Sequence, residues 1–160
     1  MAVEIERRFL VIDDSWRKDT LGTLYRQGYL YFQEFGVLRI RVAGNRGFLT
    51  LKLLKDDISA LEYEYEIPQK DAEDMLSNVC YRRPVEKIRH HIFHGGMIWE
   101  VDEFCGDNEG LVIAEIELHD RHQEIHLPSW VGEEITGNRR YLNASLYKDP
   151  YTKWCAHDTE

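Results

Sequence analysis

The sequence predicts a mainly β protein (α+β class), an antiparallel barrel of about eight strands with a charged interior and a few helices packed outside. Three observations predict it. Some eight segments alternate polar and apolar residues with the period of two that strands impose. Only one stretch carries a clear helical repeat. Charge, finally, is sorted by sign into like pairs at i, i+2, whereas a merely solvated strand face mixes signs.

The first strand runs from Glu4 through Val11. Glu4, Glu6 and Arg8 share one face; Ile5, Phe9 and Val11 share the other, with Arg7 among them. Asp13 to Thr23 is polar and reads as a loop with at most a short helix. Leu24 to Gln33, rich in Tyr, Phe and Leu, is the second strand, and Gly36 allows a turn into Val37 to Val42, where Arg39 and Arg41 share a face. Gly44-Asn45-Arg46-Gly47 is a hairpin turn by composition. Beyond it, Phe48 to Leu54 sets Lys52 against Leu49, Leu51 and Leu53. Leu61 to Ile67 then sets Glu62, Glu64 and Glu66 against Tyr63, Tyr65 and Ile67.

The helix follows, with Ala72, Met75, Leu76 and Val79 at i, i+3, i+4 and i+7 and Asp71 as the expected N-cap. After Pro84, Val85 to Phe93 places Lys87 and Arg89 together, and Gly95-Gly96 turns the chain into Met97 to Phe104 with Glu100 and Asp102 on one face. Leu111 to Leu118 carries Glu115 and Glu117 opposite Val112, Ala114, Ile116 and Leu118. Pro128 to Gly132 reads as a turn or helical stub. Arg140 to Asp149 reads as a final short helix ended by Pro150, and residues 147–160 remain unassigned.

At 160 residues the chain is expected to be one domain, 1–160, large enough for its own core. With 29 acidic and 20 basic residues, a net charge of −9, it is a poor match for nucleic acid or anionic lipid. No apolar run approaches about 18 residues, and the first residues lack a signal-peptide profile. Cys80, Cys105 and Cys155 have neither disulfide-framework nor metal spacing, so a reduced, cytoplasmic chain is expected.

The sorted charges point to chemistry. The faces opposite them are apolar enough to need cover, so the barrel is expected to be inside out. Charges crowded into its interior are costly unless paired, hydrated or holding ligands. Clustered carboxylates suit Mg²⁺ or Mn²⁺; clustered Arg and Lys suit phosphate oxygens. Together they describe a site for a metal-chelated polyphosphate, whose chemistry asks mainly for positioning and charge stabilisation.

The ordered set Glu4-x-Glu6-x-Arg8, Arg39-x-Arg41, Lys52, Lys87-x-Arg89 and Glu115-x-Glu117 resembles the CYTH superfamily, the triphosphate tunnel metalloenzymes. So do Arg26-Gln27-Gly28-Tyr29-Leu30, Trp99-Glu100-Val101-Asp102 and Arg139-Arg140-Tyr141-Leu142-Asn143. The likeness spans about residues 3–146 and is greatest to the small bacterial members, largely inorganic tripolyphosphatases. It implies an eight-stranded tunnel and a metal-dependent hydrolysis of tripolyphosphate to pyrophosphate and phosphate. Mg²⁺ or Mn²⁺ would be held by Glu4, Glu6, Glu115 and Glu117, with Asp102 as a further ligand. Arg39, Arg41, Lys52, Lys87, Arg89 and Arg140 would grip the substrate, and Glu62, Glu64, Glu100 and Arg139 would line the tunnel. The partner expected is a small-molecule triphosphate, with neither nucleic acid nor membrane, and a homodimer is an assembly open to the chain. The other readings are a non-catalytic or weakly active polyphosphate- or nucleotide-binding module, a thiamine triphosphatase and a class IV adenylate cyclase.

One position departs from the pattern. The family's motif ends in Lys, which with the Tyr of the Gln-Gly-Tyr stretch is implied to orient or activate water. Here the pair is Arg8 and Tyr29. An electrostatic role survives that change, but a proton-transfer role does not, because Arg stays charged. Other features read as structural. His90 and His94 share a face two pleats apart with His91 opposite, which does not make a zinc site, so the histidines are expected to be solvated. Tyr25, Tyr29, Tyr31 and Phe32 are ordinary strand formers rather than base-stacking platforms, and Glu66, Glu103 and Glu109 are expected to be solvated.

Overall fold

In the computed structural model of the chain, residues 3–18 and 20–154 are described. Cys155 and the residues after it lie outside them. The chain forms β1 (Val3–Val11), β2 (Thr23–Phe32), β3 (Gly36–Ala43), β4 (Arg46–Leu54) and β5 (Ser59–Ile67), then α1 (Gln69–Asn78). It continues as β6 (Val85–His94), β7 (Met97–Phe104), β8 (Val112–Glu117), β9 (Val131–Glu134) and α2 (Asn143–Lys148). The strands run β5-β4-β3-β2-β6-β7-β8-β1, and β1 pairs back onto β5. Eight antiparallel strands therefore close into a barrel, as the alternating segments predict.

The seam is β1. One edge pairs with β8, from Glu6 opposite Glu117 to Leu10 opposite Ile113. The other edge is shared: Val3 to Ile5 pair with β5, and Phe9 and Val11 pair with β9. This ninth strand corrects the expected turn or stub at Pro128 to Gly132. Its four residues carry too little alternation to announce a strand, and they are held because β1 has a vacated edge to offer.

The barrel is inside out. Phe9, Trp99, Val101, Ala114 and Ile116 face outward and are covered by Trp16, Leu118 and Trp130 from the connecting segments. On the other side α1 lays Ala72 and Leu76, with Cys80 just beyond it, over Ile40 and Val42. Burying side chains of this size stabilises by roughly 1.5–3 kcal/mol each. The helix can approach because β2 and β4 present glycines: a Cβ on Gly28 would sit 2.8 Å from Cys80 Sγ, and one on Gly47 2.8 Å from Ala72 Cβ. A third cluster plugs one end of the barrel, where Val85, Phe104 and Ile113 meet Leu146, Tyr147 and Trp154.

Four local expectations are corrected. Pro68, not Asp71, occupies the cap position of α1, its fixed φ of −52° leading into the first turn, where Asp71 lies instead. The final helix is two pieces, a 3-10 turn at Arg139–Tyr141 and then α2, because Leu142 between them is extended. The tail is not featureless: Trp154 is buried, with the rings of Tyr141 and Tyr151 centred 5.1 and 5.0 Å away. His90 is half-buried with its ring edge-on to Trp16 rather than solvated.

Candidate functional site

The inward faces of the strands enclose a cavity of about 510 Å³. Its wall includes Glu4, Glu6 and Arg8 of β1, Tyr29 of β2, Arg39 and Arg41 of β3, Lys52 of β4, and Glu62 and Glu64 of β5. Lys87 and Arg89 of β6, Glu100 of β7, Glu115 and Glu117 of β8, and Arg139 complete the set of expected residues on it. Two expected site residues are not on this wall. Asp102 lies beneath it, and Arg140 is exposed with its guanidinium carbon 4.0 Å from the Trp154 ring centre. Arg139, its neighbour, faces the cavity and rests over Phe35 at 5.1 Å.

One wall is acidic. Lys52 Nζ lies 2.5 Å from Glu4, 3.4 Å from Glu62 and 4.0 Å from Glu6. These three carboxylates raise its pKa although burial opposes them. Burial lifts Glu4 to about 7, against the pull of Lys52 and with the help of Glu6 and Glu62. Glu6 stands directly opposite Glu117 across the β1–β8 ladder, a like-charge pairing that is destabilising by itself. Glu117 makes no ion pair among the described residues. There, too, no three Asp, Glu, His or Cys side chains converge as a ready ligating cluster. The donor set nonetheless fits a hard divalent cation: oxygen ligands only, negative charge in excess, and two facing carboxylates with a single lysine at the limit of ion-pair range.

The opposite wall is basic and rests on Asp102. This carboxylate is 0% exposed; it accepts from Lys87 Nζ at 2.6 Å and from Arg89 Nε and Nη2 at 2.7 Å each. Although burial opposes ionisation, Arg89 and Lys87 hold its pKa below the usual carboxylate range. Both oxygens are thus committed to cations, which leaves Asp102 poorly placed to ligate a metal. Burial, with Arg89 and Arg41 nearby, pushes Lys87 down to about 7 against Asp102 and Glu115. Its ammonium also donates to Asn143 Oδ1 at 2.9 Å, which ties α2 to the site. Glu115 receives Arg8 Nε and Arg89 Nη2, each at 3.2 Å, and these two arginines hold it at about 2 although burial opposes them. Arg8 also donates to the Tyr141 carbonyl at 2.9 Å.

The middle of the site contains residues that sequence reasoning did not single out. Gln27 is fully buried; its carboxamide oxygen accepts from Arg41 Nε at 3.1 Å and its amide donates to the Tyr29 hydroxyl at 2.8 Å. Burial raises the pKa of Tyr29, whose ring packs on Phe32 and Tyr147. No hydrogen bond among the described residues joins Tyr29 to Arg8. Thr50, also fully buried, accepts from Arg39 at 3.3 Å and donates to Glu64 at 2.9 Å. His91 lines the cavity 4.0 Å from Glu100. The signal available for Gln27 and Thr50 was strand parity: each shares a face with residues already chosen.

A closed barrel gathers cations from β1, β3, β4 and β6 around a carboxylate-lined interior, a tunnel whose donor set suits an anion beside a hard cation. The chain belongs to the CYTH family: the CYTH domain model matches residues 2–150. It is 48% identical over 151 residues to the inorganic triphosphatase of Acetivibrio thermocellus, covering 94% of this chain and 97% of that protein. It is 36% identical over 148 residues to the inorganic triphosphatase of Nitrosomonas europaea, covering 89% and 95%. A crystal structure described as an inorganic triphosphatase superposes with a TM-score of 0.67 at 34% identity, covering 92% of this chain and 95% of that one.

Proposed function

We propose that the protein is a divalent-metal-dependent triphosphatase that hydrolyses inorganic tripolyphosphate to pyrophosphate and phosphate, using Mg²⁺ or Mn²⁺. One observation carries the reading beyond family likeness. Arg39, Arg41, Lys52, Lys87 and Arg89 line one cavity inside the closed barrel, together with carboxylates of β1 and β8. A linear polyanion can engage several of these cations at once, and a shorter one fewer.

In this reading Glu4, Glu6 and Glu117 hold the metal with Glu115 behind them, and Asp102 positions Lys87 and Arg89. A metal bound there supplies charge neutralisation and Lewis-acid polarisation of phosphoryl oxygens. The chain's own cations do the rest. They align the substrate and spread stabilising charge over its terminal phosphoryl group as a water oxygen bonds to phosphorus and pyrophosphate leaves with the bridging oxygen. Arg8, anchored by Glu115 and the Tyr141 carbonyl, acts as a fixed charge. The plug of Phe104, Ile113 and Leu146 limits water at that end. We assign the protein to the cytoplasm because Cys80 and Cys105 form no disulfide among the described residues.

The test is phosphate release from tripolyphosphate, pyrophosphate, ATP and thiamine triphosphate with Mg²⁺ or Mn²⁺, and with excess chelator. Tripolyphosphate should be preferred and chelator should stop turnover. Binding of tripolyphosphate without release of phosphate under any metal would overturn the enzymatic reading in favour of a binding module.

A further inference from the structure

Arg41 differs from the other cations of the barrel interior. Arg8, Arg39, Lys52, Lys87 and Arg89 each reach at least one carboxylate. Arg41 reaches none among the described residues. Its Nε donates to the neutral carboxamide of Gln27 at 3.1 Å, and its guanidinium carbon lies 5.1 Å from the ring centre of Tyr25. That same ring has the guanidinium carbon of Arg89 at 5.1 Å. The two arginines come from β3 and β6, the strands on either side of β2, which carries Tyr25. Tyr25 itself is half-buried in the cavity wall.

The choice of partners has a physical consequence. A carboxylate would hold Arg41 in place but would also neutralise it and compete with a phosphate for its N–H groups. An aromatic ring attracts a cation through its quadrupole, and it supplies neither a negative charge nor a strong acceptor. Gln27 takes only Nε, so both terminal nitrogens of Arg41 stay available for a bidentate grip on phosphate. Arg89, by contrast, is fixed by Asp102, Glu115 and Glu100. The ring of Tyr25 therefore spans from an anchored guanidinium to a free one, and it sets the distance between them.

We propose that Tyr25 is a positioning residue for polyphosphate binding: its ring, set beside the anchored Arg89, holds Arg41 in place without neutralising it. The proposal rests on the triphosphate reading of the cavity, and it assigns to a tyrosine a role that acts through Arg41 rather than through contact with the reacting atoms. The hydroxyl plays no part in it. Loss of the ring should weaken substrate binding more than it slows the chemical step.

The experiment compares Tyr25→Leu, Tyr25→Phe, Arg41→Gln and the Tyr25→Leu/Arg41→Gln double variant in the full chain. KM and kcat for tripolyphosphate are measured with Mg²⁺, and Kd for tripolyphosphate without divalent metal. Tyr25→Leu should raise KM and Kd about tenfold, equivalent to about 1.4 kcal/mol, with kcat within about threefold. Tyr25→Phe should behave as wild type. In the Arg41→Gln background, Tyr25→Leu should add nothing, because the residue it serves is gone. Unchanged KM and Kd in Tyr25→Leu, full additivity in the double variant, or a Phe variant as weak as the Leu one would each overturn the proposal. If Tyr25→Leu fails to fold, replacing Tyr25 by phenylalanine and by 3,4,5-trifluorophenylalanine keeps the shape and removes the negative ring face. Equal affinity in that pair would overturn it too. A wild-type chain that binds tripolyphosphate without hydrolysing it would sink the triphosphatase reading alone, and Kd would still test Tyr25.

Discussion

Replacing Arg41 and Arg89 in parallel contrasts a cation without a carboxylate partner among the described residues with one anchored by buried Asp102. Burial, reinforced by Arg39 and Arg89, pushes Arg41 down to about 10, so its charge is held at a cost that Glu64 offsets only in part and without an ion pair among the described residues. Arg41→Gln removes that cost and leaves no buried acid unpaired. A charge-assisted hydrogen bond to substrate is worth roughly 1.5–3 kcal/mol, so kcat/KM for tripolyphosphate should fall about 10- to 150-fold. The melting temperature should hold or rise; a gain of about 1 kcal/mol corresponds to about 2–4 °C in a chain of this size. Arg89→Gln is the contrast. It strips Asp102, which is 0% exposed, of two hydrogen bonds at 2.7 Å. Breaking one side of a buried pair costs roughly 3–5 kcal/mol, so this variant should melt about 6–20 °C lower. Phosphate release and thermal melts read both effects. Activity of Arg41→Gln within twofold of wild type, or a melting point depressed as far as that of Arg89→Gln, would refute the reasoning.

Glu117→Gln should abolish turnover and leave the melting temperature within a few degrees, since Glu117 is exposed and makes no ion pair among the described residues; full activity in this variant would remove Glu117 from the metal site. Arg8→Lys puts at position 8 an amine that can lose its proton, so kcat of the variant should rise relative to wild type, most at alkaline pH; parallel kcat–pH profiles would leave Arg8 as a clamp only. Burial pushes Lys87 down to about 7, although Asp102 at 2.6 Å favours its charged form. A bound polyanion favours the charged form, so binding at pH 8 should take up a proton that Lys87→Met does not; equal proton uptake by the two, measured by calorimetry in buffers of different ionisation heat, would contradict this.

Strand parity made most of the barrel legible. Glu4, Glu6 and Arg8, or Lys87 and Arg89, could be assigned to one side without knowing their neighbours, because alternation is a local property of the chain. Depth was not legible. Glu100 and Asp102 share a face, yet Glu100 lines the cavity and Asp102 lies beneath it, because the stagger between neighbouring strands sets how far along the axis each residue falls. Nor could spacing choose between Arg139 and Arg140, adjacent in a 3-10 turn where a small rotation decides which one faces in. Gln27, Thr50 and Tyr25 carry no charge to mark them, and their importance comes from which arginine each one meets. The strand β9 depended on an edge of β1 that only the closed topology vacates.

If Glu4 and Glu6 hold the metal and Lys52 a phosphate, as we propose, the ion pairs of the tunnel make metal and substrate strengthen each other's binding. Lys52 is shared among Glu4, Glu6 and Glu62, and Glu115 is shared between Arg8 and Arg89. For Lys52 to turn to a phosphate, Glu4 and Glu6 must accept another cation; for those carboxylates to turn to a metal, Lys52 must find another anion. Each ligand supplies the partner that the other displaces, and linkage makes the effect equal in both directions. Arg41 stands outside this exchange. Held by Gln27 and Tyr25, it has no ion pair among the described residues to open before it can take a phosphate. Such an exchange needs walls that keep their shape while like charges face each other. The sheet closed on itself and the apolar clusters packed outside it, with Phe9, Trp99 and Trp130 on one side and Ile40, Val42 and Leu76 on the other, provide them. The charges can stay inside because the core is outside.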